Sequence, residues 1–217
     1  MKVALIGASG FVGTTVLNEL LSRGHQVTGI ARDLSKISVK NENLELKAGD
    51  VTDSEGLTEI LKGHDAVVNS FNAGWTNPNL YDDFLAGSKA IQAAVKAAGV
   101  KRFFTIGGAG SLFIAPGLQL IDTPEFPADY KAGAGAARDY LNILREEAEL
   151  DWTFLSPAIE MHQGTSGVRK GHYRTGLENP VFDENNRSVI SAEDMAIAIV
   201  DELEKPQFIK QRFTVAY

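Results

Sequence analysis

Apolar positions in the chain follow two alternating patterns. Short continuous apolar runs, typical of strands buried on both faces, predict strands at residues 2–7, 26–31, 44–50, 65–71, 102–108, 152–158 and 212–217. Between them, apolar residues recur every three or four positions, as in amphipathic helices, and predict helices at residues 11–23, 54–63, 82–99, 128–147 and 191–204. Strands that alternate with helices predict an α/β fold with a mainly parallel sheet.

Helix boundaries carry their own signals. Glycines stand where three of the predicted helices should end, and Ser54 and Ser191 are expected N-caps. Residues 157–187 instead carry glycine, proline, asparagine and isolated charges without a period, which predicts irregular structure. No repeat, low-complexity segment or linker divides the chain, so we expect residues 1–217 to form a single domain.

Composition and charge restrict the partners. The 217 residues are 44% hydrophobic and 23% charged, the ordinary balance of a soluble globular protein. A net charge of -7 repels phosphate backbones and anionic lipid, so neither a nucleic acid nor a membrane is an expected partner. The absence of cysteine excludes disulfides, thiolate metal sites and a cysteine nucleophile. Without a leader pattern or a long apolar run, we expect a cytoplasmic protein.

A glycine-rich turn joins the first predicted strand to the first predicted helix, which is the context of a dinucleotide-binding loop. Gly7 permits the turn, Gly10 lets backbone N–H groups approach a pyrophosphate, and Gly13 allows close packing of helix on strand. The helix dipole favours the negative charge, and Ser9 adds a hydroxyl donor. The predicted loop comprises Gly7, Ala8, Ser9, Gly10, Phe11, Val12 and Gly13. It makes the expected fold a doubly wound, Rossmann-type domain.

The end of the second predicted strand bears on which cofactor binds. Arg32 stands at the position where an arginine accommodates the 2′-phosphate of NADP and a carboxylate would hold the ribose of NAD. Asp33 follows at once, and it is consistent with NAD or with a solvated residue at a helix start. We expect NADP, with NAD possible.

Other strand ends supply further candidates, because ligands bind at the carboxyl ends of strands in this architecture. Asp50 and Val51 follow the third strand, where the adenine would rest, although Asp50 is equally consistent with a helix-start carboxylate. After the fourth strand we expect cofactor contacts from Ser70, Phe71 and Asn72.

Several segments carry a resemblance to a known family. The segments GASGFVG (7–13), GIARD (29–33) and AGDVTD (48–53) resemble the short-chain dehydrogenase/reductase superfamily, specifically its atypical NmrA-like branch. The segments GGAGSL (107–112), DWTFLSPA (151–158) and ISAEDMAIAIVDELE (190–204) resemble small bacterial proteins named as NADH-flavin reductases. The resemblance extends over the whole chain and implies an NAD(P)-dependent oxidoreductase.

Classical members of that superfamily use a Tyr-x-x-x-Lys pair to protonate a carbonyl oxygen. No tyrosine of this chain has a lysine four residues later. Without an acid for a developing alkoxide, a ketone is a poor substrate. A flavin or quinone delocalises the incoming charge, so a protein can reduce either one mainly by placing two rings together.

The fifth predicted strand ends at GGAGSL, where the nicotinamide would lie. Gly107 and Gly108 are expected to let backbone and ligand approach closely. Ser111 stands near the place of the superfamily serine and is the candidate catalytic residue, as a hydrogen-bond donor to a flavin or quinone carbonyl. A flexible loop with an incidental serine is the alternative interpretation.

Weaker candidates lie around these segments. His162 and His172 fall in residues 157–187, which we expect to cover the substrate side, but their spacing and the lack of a third ligand predict no metal site. Phe113, Trp75 and Phe126 are consistent with stacking on an aromatic ligand or with ordinary packing.

The sequence therefore predicts an NADPH-dependent reductase of a small aromatic acceptor, a flavin or a quinone, in a monomer or homodimer. A non-catalytic NAD(P)-binding sensor of the NmrA type is the main alternative. A sugar or isoprenoid reductase or epimerase with a replaced acid is the third.

Overall fold

The computed structural model describes residues 1–217 and contains ten strands and five helices. The strands are β1 (Lys2–Ile6), β2 (Gln26–Ala31), β3 (Leu44–Ala48), β4 (Ala66–Asn69), β5 (Arg102–Ile106), β6 (Phe113–Ala115), β7 (Leu118–Gln119), β8 (Asp151–Ser156), β9 (Arg174–Gly176) and β10 (Gln211–Ala216). The helices are α1 (Phe11–Ser22), α2 (Ser54–Leu61), α3 (Leu80–Ala97), α4 (Ala128–Arg145) and α5 (Ala192–Glu204).

Eight strands form one sheet in the order β3-β2-β1-β4-β5-β8-β10-β9. Every neighbouring pair is parallel except β10 and β9, which are antiparallel. The predicted α/β fold with a doubly wound, mainly parallel sheet is thereby confirmed, including all seven strands and five helices expected from the apolar pattern.

The sheet is buried between two layers of helices. One apolar cluster contains residues of α1 and α5, and the other contains residues of α2, α3 and α4. This explains the continuous apolar runs, because a central strand such as β4 is covered on both faces and all four of its residues are buried.

The chain reverses its direction across the sheet between β1 and β4, which are direct neighbours. The helix after β1 packs in one layer and the helix after β4 packs in the other. A crevice therefore opens at the carboxyl ends of these two strands, the usual ligand position in open α/β sheets.

Two features differ from the sequence-based expectation. Residues 157–187 are not wholly irregular, because they include β9, which pairs with β10 through Thr175 and Val215. A small hairpin of β6 and β7 also follows β5. These strands have three residues or fewer, too few to establish a period of two.

The helix ends agree with the expected signals except at α2. Ser191 caps α5 by accepting a hydrogen bond from the Asp194 N–H at 3.0 Å. The N-cap of α2 is Asp53 and not Ser54, since the Asp53 carboxylate accepts from the Gly56 N–H at 3.0 Å. No helix of the structure has both the length and the apolar character needed to cross a membrane.

Candidate cofactor and acceptor site

The loop after β1 is built for close approach between backbones. Gly7 has φ +80°, and a Cβ there would lie 2.6 Å from the carbonyl oxygen of Ser70. Both Gly7 and Ala8 donate their N–H groups to the carbonyl of Ile30, at 3.0 and 3.2 Å. The loop thus joins the ends of three adjacent strands, and only glycine fits its first position.

The N-terminus of α1 carries unused hydrogen-bond donors. Gly10 is the N-cap and has no side chain to cap the helix, and the N–H groups of Phe11, Val12 and Gly13 have no acceptor within the chain. A Cβ on Gly13 would lie 2.0 Å from the Gly7 carbonyl oxygen, so the helix packs directly on the loop. Free N–H groups at the positive end of a helix dipole suit an anionic group such as a pyrophosphate.

The Arg32 and Asp33 side chains behave differently at the end of β2. Arg32 is exposed and its guanidinium makes no ion pair or hydrogen bond. The Asp33 carboxylate accepts hydrogen bonds from the hydroxyl and N–H of Ser35, at 2.6 and 3.0 Å, and these bonds lower the pKa of Asp33. Asp33 is therefore engaged in capping a short turn, while Arg32 is free to bind a ligand.

The end of β3 brings Asp50 to the same edge of the sheet. Its Oδ1 accepts from the N–H and hydroxyl of Thr52, at 2.9 and 2.8 Å, and these bonds lower the pKa of Asp50. The positive charge of Arg32 lowers it further. The second carboxylate oxygen of Asp50 makes no hydrogen bond.

One residue that follows β3 and one that follows β4 pack against the same position of α3. Val51 and the ring of Phe71 both contact Gly87, where a Cβ would lie 2.5 Å from the Phe71 ring. The side-chain Oδ1 of Asn72 accepts a hydrogen bond from the Gly74 N–H at 2.7 Å and fixes the turn that follows. The structure thus brings Val51 and Phe71 together beside the crevice.

The loop after β5 contains the two expected glycines. A Cβ on Gly107 would lie 1.8 Å from the ring of Phe154, so packing inside the sheet layer by itself requires glycine there. Gly108 faces α4, with the Ala137 Cβ 3.7 Å from the place of a Gly108 Cβ. That the backbone of these two residues contacts a cofactor stays a prediction.

Ser111 lies at the centre of a buried polar cluster. Only 2% of the residue is exposed, and its hydroxyl accepts a hydrogen bond from the Arg212 guanidinium at 3.2 Å. The same nitrogen donates to the hydroxyl of Ser156 at 3.3 Å. Because Arg212 is the donor, the hydrogen of the Ser111 hydroxyl remains available for an acceptor.

The expected absence of a tyrosine acid has a structural counterpart on α4. This helix faces the loop after β5 with alanines, since Ala134 lies 2.9 Å from the place of a Gly110 Cβ and Ala137 lies beside Gly108. Tyr140 of the same helix is 1% exposed and its hydroxyl is unpartnered. Burial raises the pKa of Tyr140, and a residue buried to this extent does not present its hydroxyl to the crevice.

The two loop histidines take ordinary roles. The His162 Nδ1 accepts from the Gly164 N–H at 3.0 Å, so this exposed side chain caps a short turn. The His172 ring lies 5.8 Å from the Tyr217 ring. No group of three potential metal ligands occurs in the structure.

Comparison with known proteins identifies the family of the chain. The model of a family described as NAD(P)H-binding matches residues 7–206, which includes the glycine loop and all five helices. The chain belongs to this NAD(P)H-binding family.

Individual relatives of this NAD(P)H-binding protein span its full length. The protein YwnB of Bacillus subtilis is 39% identical over 217 residues, 99% of this chain and 98% of YwnB. The crystal structure of a candidate epimerase from Bacteroides thetaiotaomicron is 46% identical, with a TM-score of 0.92 over 100% of this chain and 96% of that one. A candidate NADH-flavin reductase from Streptococcus pneumoniae is 36% identical, with a TM-score of 0.85 over 100% and 99%.

Sequence reasoning missed an ion pair beside Ser111 in this NAD(P)H-binding protein. Arg212 has a fully buried side chain and pairs with Glu178, which also binds Arg145. Burial alone would raise the pKa of the Glu178 carboxyl, but the Arg212 and Arg145 guanidinium groups lower it overall. The available signal was an arginine within an otherwise apolar strand, at the start of RFTVAY.

A second missed residue is Asn69, at the end of β4. Its side chain is 2% exposed, donates to the Thr105 hydroxyl at 3.1 Å and accepts from the Phe71 N–H at 3.0 Å. The amide thereby links β5 to the loop that begins at Ser70. A polar residue inside the apolar run AVVN was the signal in the sequence.

Proposed function

We propose that this protein is an NADPH-dependent reductase that transfers hydride to a flavin or quinone-like acceptor. The observation that carries the proposal is the combination of free N–H donors on α1 with an acceptor side that lacks a tyrosine–lysine pair. The reaction converts NADPH and the oxidised acceptor to NADP and the two-electron reduced acceptor, with the proton taken from water.

The chain supplies binding and orientation for this reaction. The N–H groups of Phe11, Val12 and Gly13 bind the pyrophosphate, and Gly10 leaves room for it. The free guanidinium of Arg32 pairs with the 2′-phosphate, which favours NADP over NAD because Asp33 is already bound to Ser35.

The acceptor side supplies a hydrogen bond and no strong acid. The Ser111 hydroxyl, which receives a hydrogen bond from Arg212, donates its hydrogen to a carbonyl of the acceptor. A positive charge beside that hydroxyl strengthens it as a donor. An isoalloxazine or quinone ring takes up the hydride without further help, since its charge is delocalised.

The test is a steady-state assay of nicotinamide absorbance with NADPH and a panel of FMN, FAD and quinones. We expect loss of absorbance that depends on the acceptor. The Ser111→Ala variant should reduce kcat/KM for the acceptor about tenfold, the usual effect of one lost hydrogen bond to a reacting group, while NADPH binding is unchanged. NADPH binding without turnover on any acceptor would contradict the proposal and favour the sensor alternative.

A further inference from the structure

An aromatic pair stands exposed beside the crevice and takes no part in the core. Trp75 is 58% exposed and Tyr130 is 52% exposed. Their rings are nearly perpendicular, at 87°, with centroids 5.5 Å apart. Two aromatic side chains in contact that keep their apolar faces in solvent form a surface suited to a flat ring.

Contacts along α4 locate this pair. Gly133 contacts the Trp75 ring, since a Cβ there would lie 2.8 Å from it, and Ala137 lies beside Gly108. Positions 133 and 137 share one face of the helix and are one turn apart, about 5.4 Å along its axis. Because α4 begins at the carboxyl edge of the sheet and runs back to β8, position 133 is the outer one. Trp75 thus lies about one turn of α4 farther from the sheet edge than Gly108 does, at the mouth of the crevice.

The local backbone fixes the indole in this place. Gly74 has φ +101°, a conformation that other residues rarely adopt, and its N–H is bound by Asn72 at 2.7 Å. Its carbonyl oxygen accepts from the Asn77 N–H at 3.0 Å. The lack of a side chain at Gly133 provides the surface against which the indole rests. An exposed side chain supported from two sides is preorganised for binding.

We propose that Trp75 and Tyr130 form the binding platform for the aromatic acceptor, an inference that rests on the proposed function. The acceptor ring stacks on the indole and projects inward toward Gly108 and Ser111, where the nicotinamide end of the cofactor is expected. A stacking surface tolerates different rings because each has an apolar π face. The platform therefore selects acceptors by planarity, and flavins and quinones share that property.

The experiment titrates the full-length protein, saturated with NADP, against FMN and follows the flavin fluorescence, which stacking on an indole quenches. Trp75→Ala should weaken FMN binding about tenfold, in line with the loss of one stacking contact. Trp75→Phe should weaken it less than about threefold, because a smaller aromatic ring remains. Gly133→Ala, which displaces the indole without removing it, should fall between the two.

The control is Val168→Ala, an exposed apolar residue of similar exposure, 52%. Its neighbours Gly167 and Arg169 bind Glu193 of α5 and Glu19 of α1, in the helix layer on the other face of the sheet from α4. It should leave FMN binding unchanged, and all variants should bind NADPH as the parent does. If the parent reduces FMN and Trp75→Ala binds FMN equally well, the platform is wrong and the proposed function stands. If FMN binds through Trp75 but neither FMN nor any quinone of the panel is reduced, the platform stands and the proposed reductase function is wrong. If neither FMN nor any quinone of the panel binds, both are wrong.

Discussion

At the residue scale, cofactor preference depends on which of two adjacent side chains is available. Arg32 is exposed without a partner, whereas the Asp33 carboxylate is bound to Ser35. A carboxylate with two hydrogen bonds already made gains less from a ribose hydroxyl than a free guanidinium gains from a phosphate. The sequence predicted the position of Arg32 and left Asp33 open between a ribose contact and a helix-start role. The structure shows Asp33 as the cap of the short turn at Leu34–Lys36.

Arg32→Ala should therefore weaken NADPH binding by about ten- to a hundredfold, the range for one charged hydrogen bond. NADH binding should change less than about threefold. Isothermal titration with each cofactor measures both. Lys36→Ala removes a nearby exposed cation from the same turn and serves as the control. Equal losses for NADPH and NADH in the Arg32 variant would contradict the assigned role.

At the element scale, two glycines of the loop and α1 are needed for different reasons: Gly13 for packing of the helix and Gly10 for binding of the cofactor. Gly13 lies under the helix, where a Cβ would meet the Gly7 carbonyl oxygen at 2.0 Å. Gly10 is exposed, and the nearest atom to its Cβ would be the same oxygen at 3.3 Å. The backbone of Gly10 has φ -79° and ψ 170°, which alanine also adopts.

Gly13→Ala should consequently lower the free energy of unfolding by several kcal/mol, because a backbone contact must shift. Gly10→Ala should cost about 1 kcal/mol or less and still weaken NADPH binding at least tenfold, since its methyl group occupies the space of the pyrophosphate. Urea unfolding and cofactor titration of both variants check this pair. A Gly10 variant with the parent's NADPH affinity would show that the pyrophosphate lies elsewhere.

The elements fall into two groups, those that the local sequence pattern predicts and those that depend on contacts between distant segments. The central strands and the five helices follow from apolar periodicity because burial on one or both faces dictates it. The β6–β7 hairpin, β9 and the Arg212–Glu178 pair depend on contacts between distant segments, and residues 178 and 212 are 34 positions apart. The exposed position of the Trp75 side chain, in the turn before α3, depends likewise on Gly133 of α4. Such long-range pairs leave no period in the sequence.

At the scale of the whole molecule, one carboxylate links α3 to the turn before β8. The Glu147 side chain is 6% exposed and accepts from Gln92 at 2.8 Å, Lys96 at 3.1 Å and the Glu149 N–H at 2.6 Å. Burial alone would raise the pKa of Glu147, but these donors lower it from 4.5 to about 2. Because the pKa of Glu147 is lower in the folded protein than in the unfolded chain, its ionised carboxylate stabilises the fold at pH values above about 4.5. This contribution is lost as the pH falls from about 4.5 toward 2.

Glu147→Gln should thus reduce the free energy of unfolding at neutral pH by about 1 to 3 kcal/mol. The difference from the parent should shrink as the pH is lowered below about 4.5. Urea unfolding across this pH range measures it. Glu149→Gln, which alters a carboxylate that also pairs with Lys96 but is 65% exposed, should change stability by less than about 0.5 kcal/mol. A pH-independent difference for Glu147→Gln would contradict the account.

The most direct test of the central claim is anaerobic mixing of the protein–NADPH complex with one equivalent of FMN, followed at the nicotinamide and flavin absorbance bands together. Hydride transfer predicts that both bands decay at one rate and in equal molar amounts, and that NADH reacts more slowly at matched concentration. A stable complex in which neither band changes, repeated with quinones in place of FMN, would contradict the assignment of the protein as a reductase.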